Sequence, residues 1–181
     1  MTTHIDGIDG LQGLVGEHLG YSEWHTVDQE QVNAFADATG DRQWIHVDPE
    51  RAKAESPFGG PIAHGHLTLS LATSLMPQIM TVSGITFGLN YGSNRVRFPA
   101  PVPVGSRIRA GATLESVEDV AGGKQAVVKV QVDVEGTEKP ACVAEMVYRY
   151  YPSPPAARSP RATASAPPCA PCSTRSRRAT T

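Results

Sequence analysis

The chain has 181 residues and a mass of 19.3 kDa, about the size of one domain. Hydrophobic residues make up 40% and charged residues 19%, enough apolar material for a packed core, which excludes wholesale disorder. Three cysteines are too few for a disulfide scaffold; the longest apolar stretch, Leu67 to Met76, falls far short of the roughly 18 residues of a membrane span, and Met1-Thr2-Thr3-His4 opens no signal peptide, so a cytoplasmic protein without membrane contact is expected.

The first element predicted is a helix from about Gln29 to Thr39. Asp28 followed by Gln31 resembles a capping box, Val32, Phe35 and Ala36 recur at helical spacing, and Gly40 offers a stop. Asp48-Pro49 then supplies a cap and a first-turn proline for a second short helix, which Ser56-Pro57 and Gly59-Gly60 close. A third helix of about 12 residues begins near His64-Gly65 and carries Leu67, Leu69, Leu71, Ala72, Leu75 and Met76 around much of its circumference, the pattern of a buried helix.

Everything after Gly84 reads as strand. Val96 and Phe98 alternate with Arg95 and Arg97; Ile108, Ala110, Ala112 and Leu114 share a face; Val128 to Val134 alternate with Lys129, Gln131 and Asp133; and Cys142 to Tyr151 continues likewise. Gly122-Gly123 and Glu135-Gly136 mark the turns. Helices first, then a strongly bent antiparallel sheet around one central buried helix, is an α+β architecture, assigned to residues 1–151.

Residues 152–181 differ in character. They are 7 Pro, 7 Ala, 5 Ser, 5 Arg, 4 Thr and 2 Cys, and they hold 5 of the 16 basic residues and none of the 18 acids. Such a segment buries too little to offset its ordering entropy and is expected to be a disordered tail. Its arginines are scattered without interleaved aromatics, so nucleic-acid binding is not expected, and Cys169-Ala170-Pro171-Cys172 lacks the second pair or nearby His of a zinc or redox motif.

Two polar clusters stand out. In the first, Asp41 and His46 lie five apart just after a helix stop; on a continued helix they would point about 140° apart, so only an irregular segment lets both face one spot. There they can accept or relay the protons of one water; otherwise Asp41 caps a turn and His46 is a satisfied core or surface residue. In the second, His64-Gly65-His66 enters the buried helix, whose unpaired N–H groups and partial positive charge suit an oxyanion, or where glycine merely permits tight packing. His64 and His66 lack a third metal ligand, so no metal is expected. No dinucleotide fingerprint, phosphate loop or G-x-S-x-G is present.

Phe35-Ala36-Asp37-Ala38-Thr39-Gly40-Asp41, then His46, then Ala52 after five residues, resembles the signature of the (R)-specific enoyl-CoA hydratases, the hydratase 2 or MaoC-like group of hot dog proteins. Gly59-Gly60-Pro61-Ile62-Ala63-His64-Gly65, Asn90-Tyr91-Gly92, Val96-Arg97-Phe98-Pro99 and Pro101 to Gly105 extend the resemblance over about residues 14 to 151. Gln43-Trp44 departs from the Asn-Pro usual in the family. The resemblance implies a single hot dog fold that adds water reversibly to a trans-2-enoyl-CoA, giving a (3R)-hydroxyacyl-CoA. Carried onto this chain, Asp41 and His46 hold the water and the Gly65 N–H meets the thioester enolate. No cofactor is implied, coenzyme A being part of the substrate, and the partner is a second copy in a homodimer. Arg95 and Arg97 are candidate phosphate contacts or an ordinary solvated strand face, and Tyr91 and Trp44 line the acyl or pantetheine path or belong to the core. A hot dog thioesterase and a non-catalytic acyl-CoA-binding subunit are the alternatives.

Overall fold

The computed structural model describes residues 2–154. The expected tail and its cysteine pair lie almost wholly outside the described residues.

Three short strands, β1 (Thr3–Ile5), β2 (His18–Tyr21) and β3 (His25–Thr26), come first, with a 3-10 helix over Ile8–Leu14 between β1 and β2. This corrects the expected helices-first order; two to four residues are too few for alternation to register in the sequence. Helix α1 (Gln29–Thr39) runs between the predicted ends, with the Asp28 carboxylate accepting from the Gln31 N–H at 2.8 Å and the Gly40 N–H donating back to Ala36. Gly40 adopts φ 80°, a left-handed conformation that favours glycine and breaks the helix.

A four-residue helical turn, α2 (Trp44–Val47), follows, then α3 (Pro49–Glu55), capped by Asp48 through the Arg51 N–H. The central helix α4 (Gly65–Ile79) is three residues longer than the sequence pattern suggested. Pro77 lies in its last turn and removes one backbone donor from the helix there. Strand β4 (Met80–Val82) leaves α4 directly and pairs in parallel with β1.

Four long strands complete the chain: β5 (Ile85–Arg97), β6 (Arg107–Val120), β7 (Gly123–Val134) and β8 (Cys142–Pro152). With β2 they form an antiparallel sheet in the order β2-β6-β7-β8-β5, and β3 adds to β6. The sheet wraps α4. Leu67, Leu71, Leu75, Met76 and Ile79 of the helix are buried against Ile108, Ala110, Ala112 and Leu114 of β6 and Val128, Val130 and Val132 of β7. The alternation read in the sequence is therefore the inward face of the sheet. Cys142 is fully buried and burial pushes its thiol up to about 11, which leaves it unreactive packing.

At the far edge, β5 pairs only with β8, and bulges interrupt its register. It exposes Phe87, Leu89 and Tyr91. Among the described residues no helix is long and apolar enough to cross a membrane.

Candidate active site

The left-handed Gly40 ends α1 and turns the chain so that Asp41 projects beside the entrance to α4. The Asp41 N–H reaches the Thr39 hydroxyl at 3.4 Å, which keeps this turn close to the helix end. The chain then re-enters helix at Trp44 and carries His46 inward until only 7% of it is exposed. Gln29, in the first turn of α1, donates to the His46 carbonyl at 2.7 Å, and the Ile62 N–H donates to the carbonyl of neighbouring Ile45 at 3.0 Å. The carbonyls of Ile45 and His46 thus both accept hydrogen bonds, which hold this turn in place.

Its ring is oriented by a further bond. The His46 Nδ1 lies 2.7 Å from the Ile62 carbonyl, an oxygen that only accepts, so Nδ1 carries the proton and Nε2 keeps its lone pair in the neutral ring. His64, the residue before α4, lies 2.9 Å through Nε2 from the backbone carbonyl of Asp41, so it pins the turn that presents the carboxylate. The two imidazoles lie 3.9 Å apart between centroids. Ligand-capable atoms of Asp41, His46 and His64 all fall within 4.8 Å of one another. The irregular segment between positions 41 and 46 therefore brings the acid and the imidazole to one spot, which a continued helix forbids.

The pair of His64 and His66 does not form a joint site. His66 is exposed and meets the edge of Phe98, whereas His64 faces Asp41 and His46. That trio is the set among the described residues with the chemistry to hold a divalent cation.

Burial lowers the His46 pKa below its ordinary value near 6.5, and the neighbouring His64 adds to the lowering; the bond to Ile62 and the Asp41 charge act the other way. His46 is therefore a neutral acceptor at pH 7. Two consequences carry a sign. The acidic limb of kcat/KM in the hydration direction should have its midpoint below pH 6.5, and a midpoint above 6.5 would contradict the neutral base. Because the unfolded ring binds a proton more readily than the buried one, the stability this burial permits is present above pH 6.5 and is lost as the pH falls through the lower folded value; urea titrations across that window read it.

Gly65 opens α4, and as its first residue has no intrahelical acceptor for its N–H. It lines, with Asp41, His46, His64, Phe35 and Phe98, an open cavity of about 500 Å³. A methyl group at position 65 would lie 3.0 to 3.1 Å from the Phe98 ring, so glycine also serves the close packing that the sequence left open. The candidate carboxylate, imidazole and helix-start amide thus share one concave space.

The other four candidates lie outside that space. Trp44 is half-buried beneath the Arg51 guanidinium, 4.5 Å from its ring. Tyr91 is 55% exposed on β5 and stacks on Arg149. Arg95 lies 3.9 Å from Glu145, and Arg97 donates to the carbonyl of Val96. Conversely, the sequence weighed His64 as a metal ligand and read Phe98 as part of a strand, and named both within the resemblance without giving either a role at the site. A histidine immediately before a buried helix and an aromatic immediately before Pro99 were the available signals.

The chain matches the family model described as MaoC like domain over residues 11–136. It is 57% identical over 147 residues to the 3-hydroxyacyl-thioester dehydratase Z of Mycobacterium tuberculosis, covering 81% of this chain and 97% of that one. Among solved structures it is similar to the (R)-hydratase of A. caviae involved in PHA biosynthesis, at 25% identity and a TM-score of 0.61, over 74% of this chain and 94% of that one. A protein from Archaeoglobus described as a monoamine oxidase regulatory protein superposes with a TM-score of 0.68 at 26% identity, over 85% of this chain and 99% of that one. With the sheet wrapped on α4 and most of the chain matched, the chain belongs to the MaoC-like dehydratase family of hot dog proteins.

Proposed function

We propose that the protein catalyses the reversible hydration of a trans-2-enoyl-CoA to a (3R)-hydroxyacyl-CoA. The observation that carries the reading is the convergence of the Asp41 carboxylate and the His46 imidazole, within 4.8 Å, in one cavity with the N–H end of α4. Water is a poor nucleophile, and the conjugated double bond accepts it at C3 only if the charge arriving on the thioester oxygen is met. The Asp41 carboxylate and His46 Nε2 hold the water. Its oxygen bonds to C3 as a proton passes to the pair, the electrons of the double bond move to the thioester oxygen as an enolate, and the pair returns a proton to C2. The Gly65 N–H and the helix dipole stabilise the enolate, a contribution that in comparable oxyanion holes is worth about 10²-fold or more. Each atom of water ends in the product, so the reaction requires no cofactor. The names of the M. tuberculosis dehydratase and the A. caviae hydratase support this reading.

Mixing the purified protein with a short trans-2-enoyl-CoA tests it. Loss of conjugated absorbance without release of free thiol, and a product of R configuration, are expected. Thiol release would instead identify a thioesterase, and no change would identify a binding module.

The long β5 edge presents unpaired backbone and the apolar Phe87, Leu89 and Tyr91, a surface that in isolation invites aggregation. Two such edges joined give a continuous sheet, and the working form is a homodimer. Light scattering at micromolar concentration should return twice the chain mass; a monodisperse monomer would overturn the assignment. Arg95 and Arg97, exposed near the end of β5 and just before Phe98, are the proposed contacts for the CoA phosphates. The proposed place of action is the cytoplasm, on soluble acyl-CoA.

A further inference from the structure

Phe98 occupies a place that the hydration chemistry does not explain. The 500 Å³ cavity holding Asp41 and His64 meets a second cavity of about 360 Å³, and His46, Gly65 and Phe98 line both. The second cavity is walled mainly by apolar groups, among them Phe58, Ile62, Ala63, Val102 and Ala141. Phe98 is the largest side chain common to both walls. Its Cγ, Cδ2 and Cε2 lie 3.0 to 3.1 Å from where a Gly65 methyl would be, and its edge meets His66 at 5.9 Å between centroids.

The backbone at this position is restricted. Residue 98 follows the last residue of β5, and Pro99 confines it to extended conformations, with Pro101 stiffening the chain beyond. Movement of the ring is therefore left to its two side-chain torsions. At 41% exposure in the single chain the ring is not enclosed on all sides, and partly exposed side chains turn far faster than a catalytic cycle.

We infer that Phe98 is a specificity-determining gate that separates the catalytic compartment from an apolar acyl compartment behind it. The inference rests on the hydration reading. The hydroxyl-bearing end of the substrate belongs with Asp41 and His46, whereas the second cavity offers mostly hydrocarbon. A four-carbon acyl group fits in front of the ring; a longer or branched one reaches the second cavity only when the ring turns aside.

The test compares the wild type with Phe98→Ala, Phe98→Leu and Phe98→Trp. The readout is the ratio of kcat/KM for a long-chain trans-2-enoyl-CoA to that for the four-carbon one. Filling or vacating a hydrophobic pocket typically changes such ratios by about 10-fold or more; the ratio should rise by about that factor in Phe98→Ala, less in Phe98→Leu, and fall in Phe98→Trp. Calorimetric affinities for the matching saturated acyl-CoAs, which cannot be hydrated, should follow the same order. If the wild type hydrates neither substrate, the hydration reading fails, and the affinities still test the gate. Ratios in Phe98→Ala and Phe98→Leu within twofold of wild type, in turnover and in binding, would overturn the gate, and a thermal melt confirms that each variant is folded.

Discussion

Replacing His46 with glutamine should lower kcat for hydration by about 10³-fold while the protein remains folded. The glutamine amide can still donate to the Ile62 carbonyl, which the His46 Nδ1 meets at 2.7 Å, so the turn at Trp44–Val47 keeps its anchor. It cannot reproduce a basic Nε2. A 10³-fold loss corresponds to about 4 kcal/mol of transition-state stabilisation, whereas an imperfect replacement of one buried hydrogen bond costs stability only about 1 kcal/mol. Steady-state kinetics and a thermal melt on the same preparation separate the two quantities. A variant within tenfold of wild-type kcat would remove His46 from the chemistry.

Asp41→Asn should cost a similar factor with no change in stability. Asp41 is exposed, and His64 secures this turn through the backbone carbonyl of residue 41, which the substitution leaves in place. What changes is the charge that holds the water and its transferred proton. Because both side chains act on one water, removing the second should add little once the first is gone, and the double variant should be no more than about tenfold slower than the worse single variant. Losses that multiply would mean two independent roles. A large fall in melting temperature for Asp41→Asn would mean that the carboxylate is a structural cap, as its position after a helix stop also allowed.

The parts of this protein that announce themselves in the sequence are those set by local rules. Asp28 and Gly40 mark α1 because a cap and a left-handed stop are needed wherever that helix ends. The alternating valines of β7 and the apolar circumference of α4 mark burial by their period. Strands β1 to β3 were not legible, since their pairing partners, β4 and β6, lie far along the chain and each strand is too short to show a period. The site divides in the same way. Asp41 and His46 were found by chemistry and resemblance, whereas the tautomer of His46 depends on a carbonyl 16 residues away and the anchoring of Asp41 on a histidine 23 residues away. Phe98 illustrates the limit: its alternation with Arg97 marks a strand, yet its position over Gly65 comes from the way β5 returns past the start of α4.

A crystal structure with a bound (3R)-hydroxyacyl-CoA tests the central geometry most directly. The substrate hydroxyl should lie within hydrogen-bonding distance of both the Asp41 carboxylate and the His46 Nε2, with the thioester oxygen on the Gly65 N–H. A hydroxyl that touches neither side chain, or a thioester seated away from the start of α4, would contradict it.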